Sequence, residues 1–208
     1  MAPPHLPVAG RRPLSLRQEF ARKSLHLGAA AIPVAYSLGV PRAALEVILS
    51  VAVAIALTTE VVRRVSPWGG ALFARLFGSL IRGHEERSVT GATWLALSCL
   101  ALVLLLSRDA AIAALWCATA GDPVAAIAGR TWTSMRAPVH GHESRKTIVG
   151  SLACAVVSFA GSWFLAGCPP LRAALIATAA TLAEALPVNI DDNVRVAVAA
   201  GAVAQLVA

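Results

Sequence analysis

Long apolar segments follow one another along most of the chain, and this succession limits the fold more than any other feature. Seven of them have lengths near the roughly 17–25 residues that a helix needs to cross a hydrocarbon core. They are 24–40, 43–62, 89–106, 110–131, 148–166, 171–187 and 194–208. The chain is therefore predicted to be an all-α, polytopic membrane bundle with about seven transmembrane helices.

The composition supports this assignment to the membrane. Apolar residues make up 57% of the chain, charged residues only 14%, and the mean hydropathy is +0.70. Soluble domains are roughly a quarter charged, and a soluble core of 208 residues could not hide so much apolar surface. The length suits one domain, which we place at 15–208, after a proline-rich tail at 1–14 that is expected to be mobile.

The distribution of charge predicts the orientation. The net charge is +7, but the basic residues lie in short segments without interleaved aromatic residues, which argues against nucleic-acid binding. Fifteen of the 18 Lys and Arg residues fall on one side, and the other side holds Arg42, Arg108 and Arg172. This asymmetry predicts a plasma (bacterial-type inner) membrane protein with a cytoplasmic N-terminus and an external C-terminus. Nearly all His, Asp, Glu and Asn residues fall on the basic side or just inside it, so an active site is expected to face the cytoplasm.

Asp122 lies inside an apolar segment, where a carboxylate is costly and indicates function. Gly121 and Pro123 flank it, so we expect the helix to break there and to line a wet cavity. Asp122 is then a magnesium ligand or a base. The alternative is an aspartate at a helix kink that a neighbouring arginine satisfies.

A second candidate site is the segment that contains Lys146, Thr147, Gly150 and Ser151, at the start of an apolar helix. Free N–H groups and the positive end of the helix dipole favour a phosphate there, and the lysine adds a point charge. The alternative is a basic membrane anchor followed by a helix-capping threonine.

Acidic residues mark a third site, formed by Glu184, Asp191 and Asp192. Adjacent carboxylates repel one another unless a cation or water screens them, and Mg²⁺ suits oxygen ligands. The alternative is a solvated turn in which one aspartate caps the last helix. Glu184 is harder to explain in this way because it falls inside an apolar segment.

The first helix carries a fourth candidate set, Arg22, Lys23 and His26. Arg22 and His26 are four residues apart and share a helix face. The alternative is a basic anchor with a packed histidine.

Two further features lie between the second and third apolar segments or at their edges. Glu60 and Arg63 are spaced for an intrahelical pair, and the apolar spacing over 72–80 predicts an interfacial amphipathic helix.

In this order the motifs resemble the family of dolichol kinases, phytol kinases and yeast-type diacylglycerol kinases, over roughly residues 19–208. They are Arg22-Lys23-x-x-His26, Glu60-x-x-Arg63, Thr90-Gly91-Ala92, Gly121-Asp122-x-x-Ala125 with Gly129-Arg130, Lys146-Thr147-x-x-Gly150-Ser151, and Glu184 with Asp191-Asp192-Asn193. The resemblance implies CTP as phosphate donor, a membrane lipid alcohol as acceptor, and nucleotide handling by residues 121–151. One departure is that the family's second glycine after Gly129-Arg130 is not evident in 131–134.

The resulting interpretation is a CTP-dependent lipid-alcohol kinase. The expected Mg²⁺ ligands are Asp122, Glu184, Asp191 and Asp192. The expected nucleotide-binding residues are Arg22, Lys23, Arg130, Lys146, Thr147, Gly150 and Ser151, and the residues expected to act in catalysis are Asp122, His26 and Lys146.

Two alternatives remain, a phosphatidate cytidylyltransferase and a membrane transporter without chemistry. The first usually carries Ser-Pro-x-Lys-Thr, which Ser144-Arg145-Lys146-Thr147 lacks, and the second predicts polar residues along whole spans.

Overall fold

The computed structural model describes residues 16–81, 85, 88–136, 146–186, 188 and 190–208, and within them all regular secondary structure is helical. The α-helices of these residues are α1 Leu16–Gly28, α2 Ala31–Ser37, α3 Arg42–Val65, α4 Pro67–Phe77, α5 Gly91–Leu105, α6 Arg108–Trp116, α7 Asp122–Arg136, α8 Ile148–Phe164, α9 Pro170–Ala185 and α10 Asp192–Leu206. A 3-10 turn, Gly78–Leu80, follows α4, and a π turn, Cys117–Gly121, joins α6 to α7. The all-α prediction is confirmed. Two sets of predicted features lie outside the described residues: the tail at 1–14, and Arg82, Arg87 and Arg145 of the basic segments.

Each of the seven predicted apolar segments contains helix. The first is bent, because α1 and α2 are separated at Ala29 and Ala30. By length and composition, two helices in the described chain are long and apolar enough to cross a membrane, Arg42–Val65 and Arg108–Thr133. Gly91–Leu105 and Ile148–Phe164 are apolar but shorter. Since the core helix of a soluble protein also passes this test, the two helices are weak evidence for a bundle of seven spans.

Helix α6, the π turn and α7 form one continuous helix at the centre of the bundle. Every residue from Ala110 to Leu115 is buried, and so are Cys117 and Ala118 in the π turn. This central helix packs against α1, α2, α8 and α10. Helix α3 lies at the periphery, where it contacts α2, α4 and α5 and exposes a continuous apolar face that includes Val47, Val51 and Ile55.

The helix break predicted at Asp122 is wrong. The chain stays helical through Gly121, Asp122 and Pro123, and the disturbance takes the form of the π turn. The Asp122 N–H bonds to the Cys117 carbonyl, five residues back rather than four. The wider turn accommodates Pro123 without interrupting the helix, and it leaves Asp122 buried at the first position of α7.

Candidate functional site

Five charged residues predicted from separate motifs come together at one end of the bundle, where α8 and α10 begin and α9 ends. We call them the charged cluster. They are Lys23, Asp122, Lys146, Glu184 and Asp192. Each of the three carboxylates in it contacts a lysine, so positive and negative groups alternate in space although they lie far apart in sequence.

Lys23 and Asp122 form the buried half of the charged cluster. The Lys23 Nζ atom lies 2.6 Å from Asp122 Oδ2 and donates a hydrogen bond to it. Lys23 is 4% exposed and Asp122 is 1% exposed, so both charges have left water almost completely. Removing two ions from water is costly, and only the pairing makes this burial tolerable. The sequence-based alternative, an aspartate satisfied by an arginine, is therefore wrong about the partner, which is a lysine.

Lys146 forms the more exposed half of the charged cluster. Its Nζ atom donates to Glu184 Oε1 at 2.7 Å and to Asp192 Oδ2 at 3.3 Å. The Ser151 hydroxyl donates to the other Glu184 oxygen at 3.4 Å. Burial lowers the pKa of Lys146, but the charges of Asp192 and Glu184, and then that of Asp122, outweigh burial and raise this pKa above its ordinary value. These carboxylates therefore favour the charged form of Lys146, and its interaction with Asp122 links the two halves.

The two adjacent aspartates have different surroundings. Asp192 contacts Lys146 and also pairs with Arg195 one turn later. Asp191 accepts a hydrogen bond from the Asn193 N–H and caps α10, as the structural alternative predicted for one of the two. Burial and the neighbouring charges of Asp192 and Glu85 raise the pKa of Asp191, against the opposing effect of its hydrogen bond from Asn193. Of the pair, Asp192 is the member that forms ion pairs, with Lys146 and Arg195.

The four predicted Mg²⁺ ligands do not form a single cage. No three His, Cys, Asp or Glu side chains converge as a metal-binding group within the described residues. Asp122 is held by Lys23, Glu184 and Asp192 share Lys146, and Asp191 caps a helix. Mg²⁺ in phosphoryl-transfer sites commonly takes one or two carboxylates, with substrate phosphates and waters as the other ligands. The donor set of the charged cluster fits that mode of binding.

The predicted phosphate-binding segment has clear packing roles. Thr147 Oγ1 accepts a hydrogen bond from the Gly150 N–H at 3.0 Å and caps α8, as the structural alternative predicted. A Cβ atom on Gly150 would lie 2.7 Å from the Ala125 carbonyl oxygen, and one on Gly129 would lie 2.6 Å from Thr147 Oγ1. These glycines therefore allow α7 and α8 to approach closely, whereas Lys146 and Ser151 are the residues of this segment that contact the cluster, both through Glu184.

Arg22 and Arg130 lie beside the charged cluster. Both approach Glu19, with contacts of 3.7 Å from Arg22 and 3.9 Å from Arg130, and Arg22 is also 3.6 Å from Glu85. The buried Nε atom of Arg22 has no hydrogen-bond partner among the described residues. The sequence reasoning did not select Glu19 or Glu85, both of which are buried. The helical spacing of Glu19 and Arg22 was the available signal for Glu19, whereas nothing local points to Glu85.

A buried polar network next to Arg22 holds the start of α5. Glu60 pairs with Arg63 at 2.6 Å, which confirms the predicted intrahelical pair. The other Glu60 oxygen accepts from the Thr90 N–H and the Thr93 hydroxyl. Glu85 accepts from the Gly91 N–H, while Asn193 donates to the Gly91 carbonyl and ties α10 to α5. The Thr90-Gly91 motif is thus a helix start capped by two carboxylates.

His26 contacts the helix that carries Asp122. Its Nε2 atom lies 3.0 Å from the Ala118 carbonyl oxygen, in the π turn. Its Nδ1 atom lies 3.9 Å from Asp122 Oδ2, beyond hydrogen-bond distance. The structure therefore brings His26 to the charged cluster but does not place it in a direct hydrogen bond with Asp122.

Comparison of the chain with protein-family models, with curated proteins and with solved structures finds no match in any of the three. The geometry of the charged cluster is accordingly the basis of the functional proposal.

Proposed function

We propose that the protein crosses the membrane seven times, with its N-terminus in the cytoplasm, and transfers the γ-phosphate of CTP to the hydroxyl of a membrane lipid alcohol. The observation that carries this proposal is the charged cluster. Two lysines and three carboxylates from four helices and one helix-start segment meet at one end of an otherwise apolar bundle. The positive-inside rule assigns that end to the cytoplasm, where nucleotides are.

The chemistry of phosphoryl transfer suits this set of residues. The reaction requires neutralisation of phosphate charge and alignment of the reactants more than covalent catalysis. Lys146 and Arg22 supply cations for phosphate oxygens, and Lys23 holds the Asp122 carboxylate. Asp122, Glu184 and Asp192 are the residues that would hold Mg²⁺, which neutralises further phosphate charge when bound. The lysine–carboxylate pairs keep both sets of charges satisfied until a nucleotide arrives.

The depth of Asp122 supports a lipid as the acceptor. This carboxylate lies well inside an apolar segment and is fully buried, whereas Lys146 is at the more exposed end of the same cluster. A membrane alcohol such as a polyprenol, phytol or diacylglycerol carries its hydroxyl near the head-group plane. Such a hydroxyl approaches from the lipid side, and the nucleotide approaches from the water side.

The decisive experiment follows the phosphate. Purified protein receives γ-labelled CTP or α-labelled CTP, with Mg²⁺, a panel of lipid alcohols, and phosphatidate. We expect the γ label to enter a lipid alcohol and CDP to be released. Entry of the α label alone, with phosphatidate as acceptor and release of pyrophosphate, would show a cytidylyltransferase instead. Absence of incorporation from either labelled CTP would argue against CTP-dependent transfer and favour a protein without this chemistry.

Asp122→Asn is the inactive control for this assay. We expect it to lose turnover by orders of magnitude, because it removes the buried carboxylate. Removing one partner of a buried pair also costs about 3–5 kcal/mol of stability, since Lys23 would stay buried without a counter-charge. The double variant Lys23→Gln/Asp122→Asn removes both charges and separates loss of folding from loss of chemistry. Normal turnover in a folded Asp122→Asn variant would remove Asp122 from the mechanism.

A further inference from the structure

The π turn creates a hydrogen-bonding deficit next to Asp122. In this turn the Asp122 N–H bonds to the Cys117 carbonyl, five residues earlier. The next bond in the same register would join the N–H of residue 123 to the Ala118 carbonyl. Residue 123 is proline and has no N–H, so the helix itself cannot complete that bond. Ala118 is fully buried, and a buried carbonyl without a donor is costly.

His26 supplies the missing donor from another helix. Its Nε2 atom is 3.0 Å from the Ala118 carbonyl oxygen, which is a normal hydrogen-bond distance. A carbonyl oxygen can only accept, so Nε2 carries the hydrogen in this contact. The contact joins α1 to the turn that immediately precedes Asp122. It lies one helical turn after Lys23, which holds the Asp122 carboxylate itself.

We propose that His26 is a positioning residue. It completes the hydrogen bonding of the π turn in place of the N–H that Pro123 lacks, and it thereby fixes Asp122 opposite Lys23. This assignment differs from that of a general base, because His26 acts through the hydrogen bond from its Nε2 atom to the backbone of the π turn and not on a substrate proton. The catalytic consequence rests on the proposed kinase function, whereas the structural role does not.

A double-mutant cycle on thermal stability tests the structural role without any activity assay. The four proteins are the wild type, His26→Leu, Pro123→Ala and the double variant, each purified in the same detergent. Pro123→Ala restores an N–H that can reach the Ala118 carbonyl, so His26 is no longer needed. We expect His26→Leu to lower the melting temperature by about 2–8 °C in the wild type and clearly less in the Pro123→Ala background. Equal losses in both backgrounds would overturn the proposal.

Two amide substitutions test the positioning of Asp122. Glutamine places its amide nitrogen where His26 has Nε2, whereas asparagine places it where His26 has Nδ1. We expect His26→Gln to keep turnover within an order of magnitude of wild type, because it still donates to Ala118. His26→Asn should lose turnover by about 10²-fold, mainly in kcat, through misplacement of Asp122.

An equal loss of turnover in the Gln, Asn and Leu variants of His26 would indicate a general base and would overturn the positioning role. Wild-type turnover in all three variants would overturn it as well. If the wild type transfers no phosphate at all, the kinase proposal fails, and the thermal cycle alone decides whether His26 completes the π turn.

Discussion

Lys23 and Lys146 are nearly alike in sequence context but differ in surroundings. Each follows an arginine at a basic segment next to an apolar one. Lys23 is buried against one carboxylate, whereas the Lys146 side chain is 30% exposed and contacts two. An exposed cation keeps its hydration and exchanges partners at low cost, and a buried one does not. We therefore expect Lys146 to meet incoming phosphate and Lys23 to hold Asp122 in place.

Asp191 and Asp192 are the clearest test at the level of single residues. Asp191→Asn keeps an N-cap acceptor and removes a charge that burial disfavours, so the free energy of unfolding should stay within about 0.5 kcal/mol or rise. Asp192→Asn loses the charge that pairs with Lys146 and Arg195 and should cost about 1 kcal/mol. Thermal melting of both variants measures this difference.

The turnover of the same two variants can be compared in the labelled-CTP assay. We expect Asp192→Asn to lose most of its turnover and Asp191→Asn to keep most of it. The reverse order would assign the metal-binding role to Asp191.

The contact between α7 and α8, with the π turn beside it, depends on small residues at successive turns. A Cβ atom on Gly121 would lie 2.5 Å from the Ser158 hydroxyl, and one on Gly161 would lie 2.0 Å from the nearest atom of the Trp116 ring. Gly129 and Gly150 make the same kind of close approach nearer the charged cluster. Small residues of this kind allow helix backbones to approach in membrane proteins, where burial of apolar surface contributes little. The close packing holds the start of α8, next to Lys146, against the helix that carries Asp122.

Gly150→Ala tests this contact. The added methyl would lie 2.7 Å from the Ala125 carbonyl oxygen, a backbone atom that cannot move alone, so we expect a loss of about 1–3 kcal/mol. Gly28→Ala is the matched control, because a Cβ atom there meets nothing within 4 Å. The melting temperatures of the two variants in the same detergent should differ by several degrees. A Gly150→Ala variant as stable as the control would show that the contact is not close.

The charge asymmetry of the whole molecule has a structural counterpart on the predicted external side. Arg42 donates to the Leu104 carbonyl at 2.6 Å and to the Leu106 carbonyl at 3.3 Å, at the end of α5. Arg108 donates to the Tyr36 carbonyl at 2.7 Å, near the end of α2. Carbonyls at helix ends lack intrahelical partners, so these two arginines have a local role as caps. These two arginines therefore have a structural role at their positions that does not depend on the orientation of the chain.

Cysteine labelling tests the orientation directly. The native cysteines Cys99, Cys117, Cys154 and Cys168 are first replaced, and Ser107→Cys and Thr133→Cys are then introduced one at a time. A membrane-impermeant maleimide added to intact cells should label position 107 and not position 133, and permeabilised cells should show both. Both residues are exposed, so accessibility within the protein does not limit the reaction. Labelling at 133 and not at 107 would invert the proposed topology.

Local patterns in the sequence were enough to predict the helical class, the approximate helix positions, the Glu60–Arg63 pair and the residues of the charged cluster. Apolar length, charge asymmetry and spacings of three or four residues are properties of short stretches, so they can be read without the fold. The pairings within the cluster join residues as far apart as Lys23 and Asp122, and no short-range rule specifies them. The π turn likewise depends on a donor from α1, which reaches Ala118 only when α1 packs against the central helix. The roles of Gly129 and Gly150 also became clear only from the packing between helices. In the sequence, a glycine that lies against a phosphate cannot be distinguished from a glycine that lies against a neighbouring backbone.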